Sequence, residues 1–119
     1  MSETEAVRLE VYAALVHDVG DDPRFVAEIV DKYLASCPQL LDGMREAAAT
    51  QQPTEMARLA HQLKSSSAWL GADHLAELCR EIEVSARTGT LEGVNERLEQ
   101  VEREVERVEQ ALQVLAERA

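Results

Sequence analysis

Residues 53–89 read PTEMARLAHQLKSSSAWLGADHLAELCREIEVSARTG. Twice in this stretch an apolar stripe of helical period is closed by glycine. Met56, Leu59, Ala60, Leu63, Ser67 and Leu70 run to Gly71, and Leu75, Leu78, Cys79, Ile82 and Ala86 run to Thr88-Gly89. Pro53 opens the first stripe where proline's fixed φ and missing N–H do no harm, and glycine tolerates the positive φ that commonly ends a helix. The spacing predicts two helices, the second beginning around Ala72-Asp73, joined by a turn short enough to make them an antiparallel pair.

The same punctuation extends in both directions. Upstream, Asp22-Pro23 reads as an N-cap followed by proline at the first helical position. It opens a stripe of Phe25, Val26, Ile29, Val30, Tyr33, Leu34, Cys37, Leu40, Leu41 and Met44, with Pro38 inside it predicting a kink or a break. Before that, Leu9, Ala13 and Val16 suit a short lid helix stopping at Gly20. Downstream, Thr90 can cap a last helix whose apolar residues, Leu91, Val94, Leu98, Val101, Val105, Val108, Leu112 and Leu115, alternate in steps of three and four. Aromatics make up only 3% of a chain that is 45% hydrophobic. The core must then be aliphatic, without the β-branched and aromatic alternation that marks sheets. The expectation is an all-α domain over residues 1–119: an antiparallel up-down four-helix bundle with an additional short N-terminal helix. The heptad spacing of the last helix leaves an intermolecular coiled coil as a second use for that stripe.

The formal charge is −11, which argues against nucleic-acid binding, since phosphate contacts need clustered Lys and Arg. Acids outnumber bases ten to four over residues 1–50 and ten to five over 81–119, but they balance at three each over 51–80. No apolar run approaches the roughly 20 residues that span a bilayer, and Met1 to Arg8 lacks the basic start and apolar stretch of a secretory signal. A cytoplasmic location is expected. Cys37 and Cys79 both fall on apolar faces and read as buried small hydrophobes.

On the helix opened by Pro53, setting Met56 at zero puts the rest of its stripe within about 60°. His61 falls at about 140°, on the solvent side, with Lys64 at about 80°, Ala68 at about 120° and Ser65 at about 180° by the same arithmetic. An exposed imidazole of ordinary pKa, about 6.5, is about three-quarters neutral at pH 7 and offers a ring nitrogen lone pair as nucleophile. Ser65 and Ala68, one and two turns along the same side, are small enough to let another protein approach it. Lys64 would attract an added phosphoryl group by roughly 0.5 to 1 kcal/mol per unit charge in a water-like medium.

The segment from Ala60 to Glu83 resembles the histidine-containing phosphotransfer (HPt) domains of two-component phosphorelays. His61, Leu63, Lys64, the run Ser65 to Ser67, Gly71, Leu75, Cys79 and Glu83 follow that family's pattern. A weaker likeness takes in the Phe25 to Leu41 stripe with its proline and the long last helix. The resemblance implies that His61 accepts a phosphoryl group from a receiver-domain aspartate and passes it to another receiver. Lys64 would steady the charge, and Ser65, Ala68, Ala57 and Arg58 would lie at the docking surface. The implied partners are response-regulator receiver domains and a sensor histidine kinase. Mg²⁺ would come from the receiver, so no cofactor of the chain's own is expected, and the protein would be a monomeric carrier rather than an enzyme. One departure is Ser65, where the family usually has glycine; serine is still small enough to leave the approach open.

His17 and His74 share neither a face with His61 nor a metal-like carboxylate spacing, so no metal site is expected. No glycine-rich phosphate loop follows a strand, so ATP binding and autokinase activity are not expected either. Trp69, at about 220° on the wheel, is expected to be a partly buried packing residue. The alternative reading is a helical interaction module or coiled-coil dimer whose surface histidine is incidental.

Overall fold

The computed structural model describes residues 5–117; residues 1–4 and 118–119, the two ends of the expected domain, lie outside the described residues. Five helices follow in order: α1 (Leu9–Asp18), α2 (Pro23–Ala49), α3 (Pro53–Leu70), α4 (Asp73–Arg87) and α5 (Val94–Glu117). Each long helix packs on the next, and α5 returns to α2, so α2 to α5 close into a four-membered ring around one aliphatic core. The short α1 lies against α3. None of the described helices is long and apolar enough to cross a membrane.

The α3–α4 hairpin carries the site, and its turn is fixed by Gly71. This residue holds φ +89° while the Gly71 N–H donates to Ala68 O at 3.1 Å and the Ala72 N–H to Ser67 O at 2.8 Å. That pattern satisfies the last carbonyls of α3. The chain entering α1 seats on the same turn: Arg8 N–H donates to Gly71 O at 2.8 Å, and a Cβ at position 71 would lie 2.8 Å from Arg8 O. Glycine is thus required twice over, by the conformation and by the close approach.

The predicted α3 stripe is buried in full, with Met56, Ala60, Leu63 and Leu70 wholly inaccessible. Ser67 is equally buried and is satisfied by a 2.8 Å hydrogen bond with Tyr33 Oη of α2. Cys37 and Cys79 lie in the core, where burial pushes the thiols up to about 11 and about 12. They stay protonated at neutral pH.

Five expectations need correction. The buried residues of α1 are Tyr12 and Leu15, while Leu9 and Ala13 face solvent and Val16 is half-buried. In so short a helix three apolar residues do not define a face; the contact with α3 does. Phe25, at the edge of the α2 stripe in the first turn, is 55% exposed. Of the kink or break expected at Pro38, the break does not occur: α2 runs unbroken to Ala49. The proline ring is exposed, and Tyr33, Cys37, Leu40 and Leu41, buried on either side, outweigh a proline cost of about 3 kcal/mol. The last helix begins at Val94, not beside Thr90, whose Oγ1 instead accepts from Glu92 N–H at 3.1 Å to shape the turn before Gly93. Finally, the heptad stripe of α5 is buried within the chain between α2 and α4, so it is not free to form the seam of an intermolecular coiled coil.

Candidate functional site

His61 sits mid-α3 on the side away from the core stripe, its side chain 53% exposed. Its Nδ1 lies 2.9 Å from Oε2 of Glu83 on α4. Glu83 is only 5% exposed, because it shares the inner face of α4 with Cys79, Ile82 and Ala86. Such a carboxylate must find partners on the way in, and three side chains converge on it. Lys64 Nζ is 2.8 Å from Oε1, and Arg87, one turn along α4, donates to Oε2 through Nη2 at 2.6 Å and Nε at 3.0 Å. His61 Nδ1 takes the rest of Oε2. Burial by itself would raise the Glu83 carboxyl, but the Lys64 ammonium, the Arg87 guanidinium and the His61 ring together hold it down to about 2. Glu83 is therefore an anion at neutral pH.

An anionic acceptor against one ring nitrogen decides what the other can do. In the neutral imidazole the proton sits on Nδ1, donated to Glu83, and the lone pair is left on Nε2. The buried carboxylate thus fixes which ring nitrogen keeps its lone pair.

Glu83 enters the sequence reading only as a position in a family pattern, and Arg87 does not enter it at all. A signal for both was present. His61 stands ten residues before Gly71 and Glu83 twelve after it, so an antiparallel hairpin turning at that glycine sets them side by side. Arg87 then follows Glu83 at the i,i+4 spacing that brings two side chains together on one helix face.

Of the residues expected around the histidine, Ser65 and Ala68 are exposed and Lys64 is half-buried, turned onto Glu83. Ala57, expected on the docking surface, is 4% exposed and, with buried Ala86 of α4, forms the floor of a cleft instead. That open cleft, about 600 Å³, is walled by Thr54, Glu55, Arg58, His61 and Arg87. Arg58 is exposed and bonded to Glu55 through Nε, at 3.1 and 3.2 Å from the two carboxylate oxygens, and through Nη2. Trp69, expected to be partly buried, is 55% exposed, since at about 220° it lies well off the buried α3 stripe. His17 pairs with Asp21 at 3.4 Å on the exposed end of α1, and His74 opens α4; neither joins the His61 cluster. Among the described residues no three His, Cys, Asp or Glu side chains converge as metal ligands.

Comparison with known proteins bears on the family and the fold. A family model described as the Hpt domain matches residues 28–111. The chain is similar to histidine-containing phosphotransfer protein 2 of Arabidopsis thaliana, 29% identical over 94 residues; the match takes in 76% of this chain and 60% of that relative's length. The fold is similar to the crystal structure of histidine-containing phosphotransfer protein B (HptB) from Pseudomonas aeruginosa PAO1, with a TM-score of 0.87, 27% identity and 97% of each chain covered. A family match over most of the chain, an all-helical bundle of the same shape and a histidine braced on its surface lead to one conclusion: the chain belongs to the Hpt domain family.

Proposed function

We propose that the chain is a phosphoryl carrier of a two-component phosphorelay and that His61 Nε2 is its acceptor. The observation that carries this reading is the Nδ1 contact to buried, anionic Glu83, which leaves Nε2 as the nucleophilic nitrogen. The Nε2 lone pair attacks the phosphorus of an aspartyl phosphate on a receiver domain. The N–P bond forms as the P–O bond to the aspartate breaks, and the aspartate leaves as a carboxylate. The ring keeps its Nδ1 proton throughout. The positive charge that develops on the phosphorylated imidazole faces the Glu83 carboxylate, so no proton needs to leave for the step to proceed. Reversal onto a second receiver returns the ring to its starting state.

The chain's own residues orient the ring, hold its proton and compensate charge, while Mg²⁺ and the remaining catalytic groups belong to the receiver. Lys64 supports the site chiefly by holding Glu83 in place. Ser65 and Ala68 keep the approach to the ring clear, and Arg58 and the floor at Ala57 lie on the other side of it. The partners are receiver domains and a sensor histidine kinase, met in the cytoplasm by a monomeric carrier. Incubation with phosphorylated receivers tests the reading: label should move to an acid-labile, base-stable species on the wild-type chain and not on His61→Gln. Failure to label with every receiver of the source organism would favour a plain helical adaptor.

A further inference from the structure

Two of the three cations around His61 are already committed to a buried group. Lys64 and Arg87 are the partners of Glu83, and withdrawing either would leave a carboxylate that is 5% exposed short of compensation. Such a loss is costly for a carboxylate that is itself buried. Arg58 is different. Its partner is Glu55, an exposed carboxylate three residues earlier on the same helix, with side chains 62% and 43% exposed. Exposed pairs of this kind hold weakly, because both groups regain water when they part.

Arg58 is also the cation that geometry brings to the histidine. It precedes His61 by three residues, a spacing that makes two side chains neighbours on a helix. Helical side chains lean toward the N-terminus, so the His61 ring tilts back over the turn that carries Ala57 and Arg58. His61, Arg58 and Glu55 accordingly line one and the same cleft, over the small Ala57 floor. Arg58 and Glu55 also border a second cleft on the α2 side, beside Gly43, Glu46 and Thr50, so the pair stands on the ridge between the two.

Resting on the carrier reading, we propose that Glu55 and Arg58 form an exchangeable latch: when His61 carries a phosphoryl group, Arg58 releases Glu55 and binds the phosphoryl oxygens, and Glu55 shortens the life of the phosphohistidine by competing for Arg58. A phosphoryl group brings nearly two negative charges and three acceptor oxygens, against one charge on Glu55. The guanidinium fork matches those oxygens in a paired geometry that an ammonium does not reproduce. No bond to phosphorus forms or breaks in the exchange; only the partner of the guanidinium changes.

The test loads the chain with phosphoramidate, without any receiver, and follows hydrolysis of the phosphohistidine. Arg58→Ala should shorten the half-life roughly threefold to tenfold, Arg58→Lys should recover part of it, and Glu55→Gln should lengthen it about twofold to threefold. The double variant should decay like Arg58→Ala alone, because Glu55 acts only through Arg58. Circular dichroism and thermal unfolding should be nearly the same for all four, both sites being exposed. Equal lifetimes in fully loaded wild type and Arg58→Ala would overturn the latch and leave the carrier reading standing. A Glu55→Gln effect that persists without Arg58 would overturn it too, since Glu55 would then act by direct repulsion. A wild-type chain that cannot be loaded on His61 would overturn the carrier reading and the latch with it.

Discussion

Glu83 does two jobs with one charge, orienting the imidazole and anchoring Lys64 and Arg87. Glu83→Gln keeps the shape and removes the charge, so it separates them. The fold should survive with a loss of about 1–3 kcal/mol, because both cations can turn toward water. The pH dependence has a definite sign. The carboxyl is held at about 2 against an ordinary 4.5, so its contribution is complete above about 4.5 and disappears as pH falls toward 2. Urea unfolding should therefore separate wild type from Glu83→Gln widely at pH 7 and much less at pH 3. Phosphoryl acceptance at pH 7 should fall as well, since the amide no longer demands a proton on Nδ1. On the other side of the ring, Ser65→Arg and Ala68→Arg should leave the bundle folded, as both sites are exposed and arginine is a good helix former. Transfer from a receiver should drop steeply, because even a misplacement of about 1 Å costs about a hundredfold, while reaction with phosphoramidate should change much less. Equal slowing with both donors would show that these small residues do not serve docking.

The α3–α4 hairpin is the element on which the site depends, and Gly71 is its pivot. Gly71→Ala forces a side chain onto φ +89° and into Arg8 O at 2.8 Å, which should cost about 1–3 kcal/mol and loosen α1 from the turn. Thermal unfolding measures the loss, and an unchanged midpoint would contradict the described turn. This hairpin is also the most legible part of the sequence, because proline, periodicity and glycine all mark the same boundaries. Elsewhere the local signals give out. Leu9, Ala13 and Val16 share a helix with Tyr12 and Leu15, and only the contact with α3 chooses between the two faces. Thr90 has the chemistry of a cap but uses it on a turn one step early. Within the site, His61 is legible because it lies off the apolar stripe. Glu83 has no role that α4 alone reveals, because nothing local says that a charge on its inner face has a histidine opposite; that follows only from registering the two helices about Gly71.

Over the whole molecule the charge is uneven: residues 51–80, with α3 and the first half of α4, balance at three acids and three bases, while the acids crowd the two ends of the chain. One of those acids is misplaced for stability. Glu104 is 4% exposed; its Oε1 accepts from Arg107 at 2.8 Å, but its Oε2 has no partner among the described residues. A buried oxygen left unpaired costs about 1–3 kcal/mol, and methionine fills a similar volume without it. Glu104→Met should raise stability by about 1 kcal/mol and leave phosphoryl transfer unchanged, since Glu104 belongs to α5, which contributes nothing to the cleft at His61. Denaturant unfolding and a transfer assay on the same preparation check both halves. The carrier role turns on which nitrogen of which histidine is modified. Nuclear magnetic resonance of the ¹⁵N-histidine-labelled chain after phosphorylation reads this directly: ³¹P–¹⁵N coupling should appear at Nε2 of His61 alone, with the proton retained on Nδ1. Coupling at Nδ1 of His61, or on His17 or His74, would contradict it.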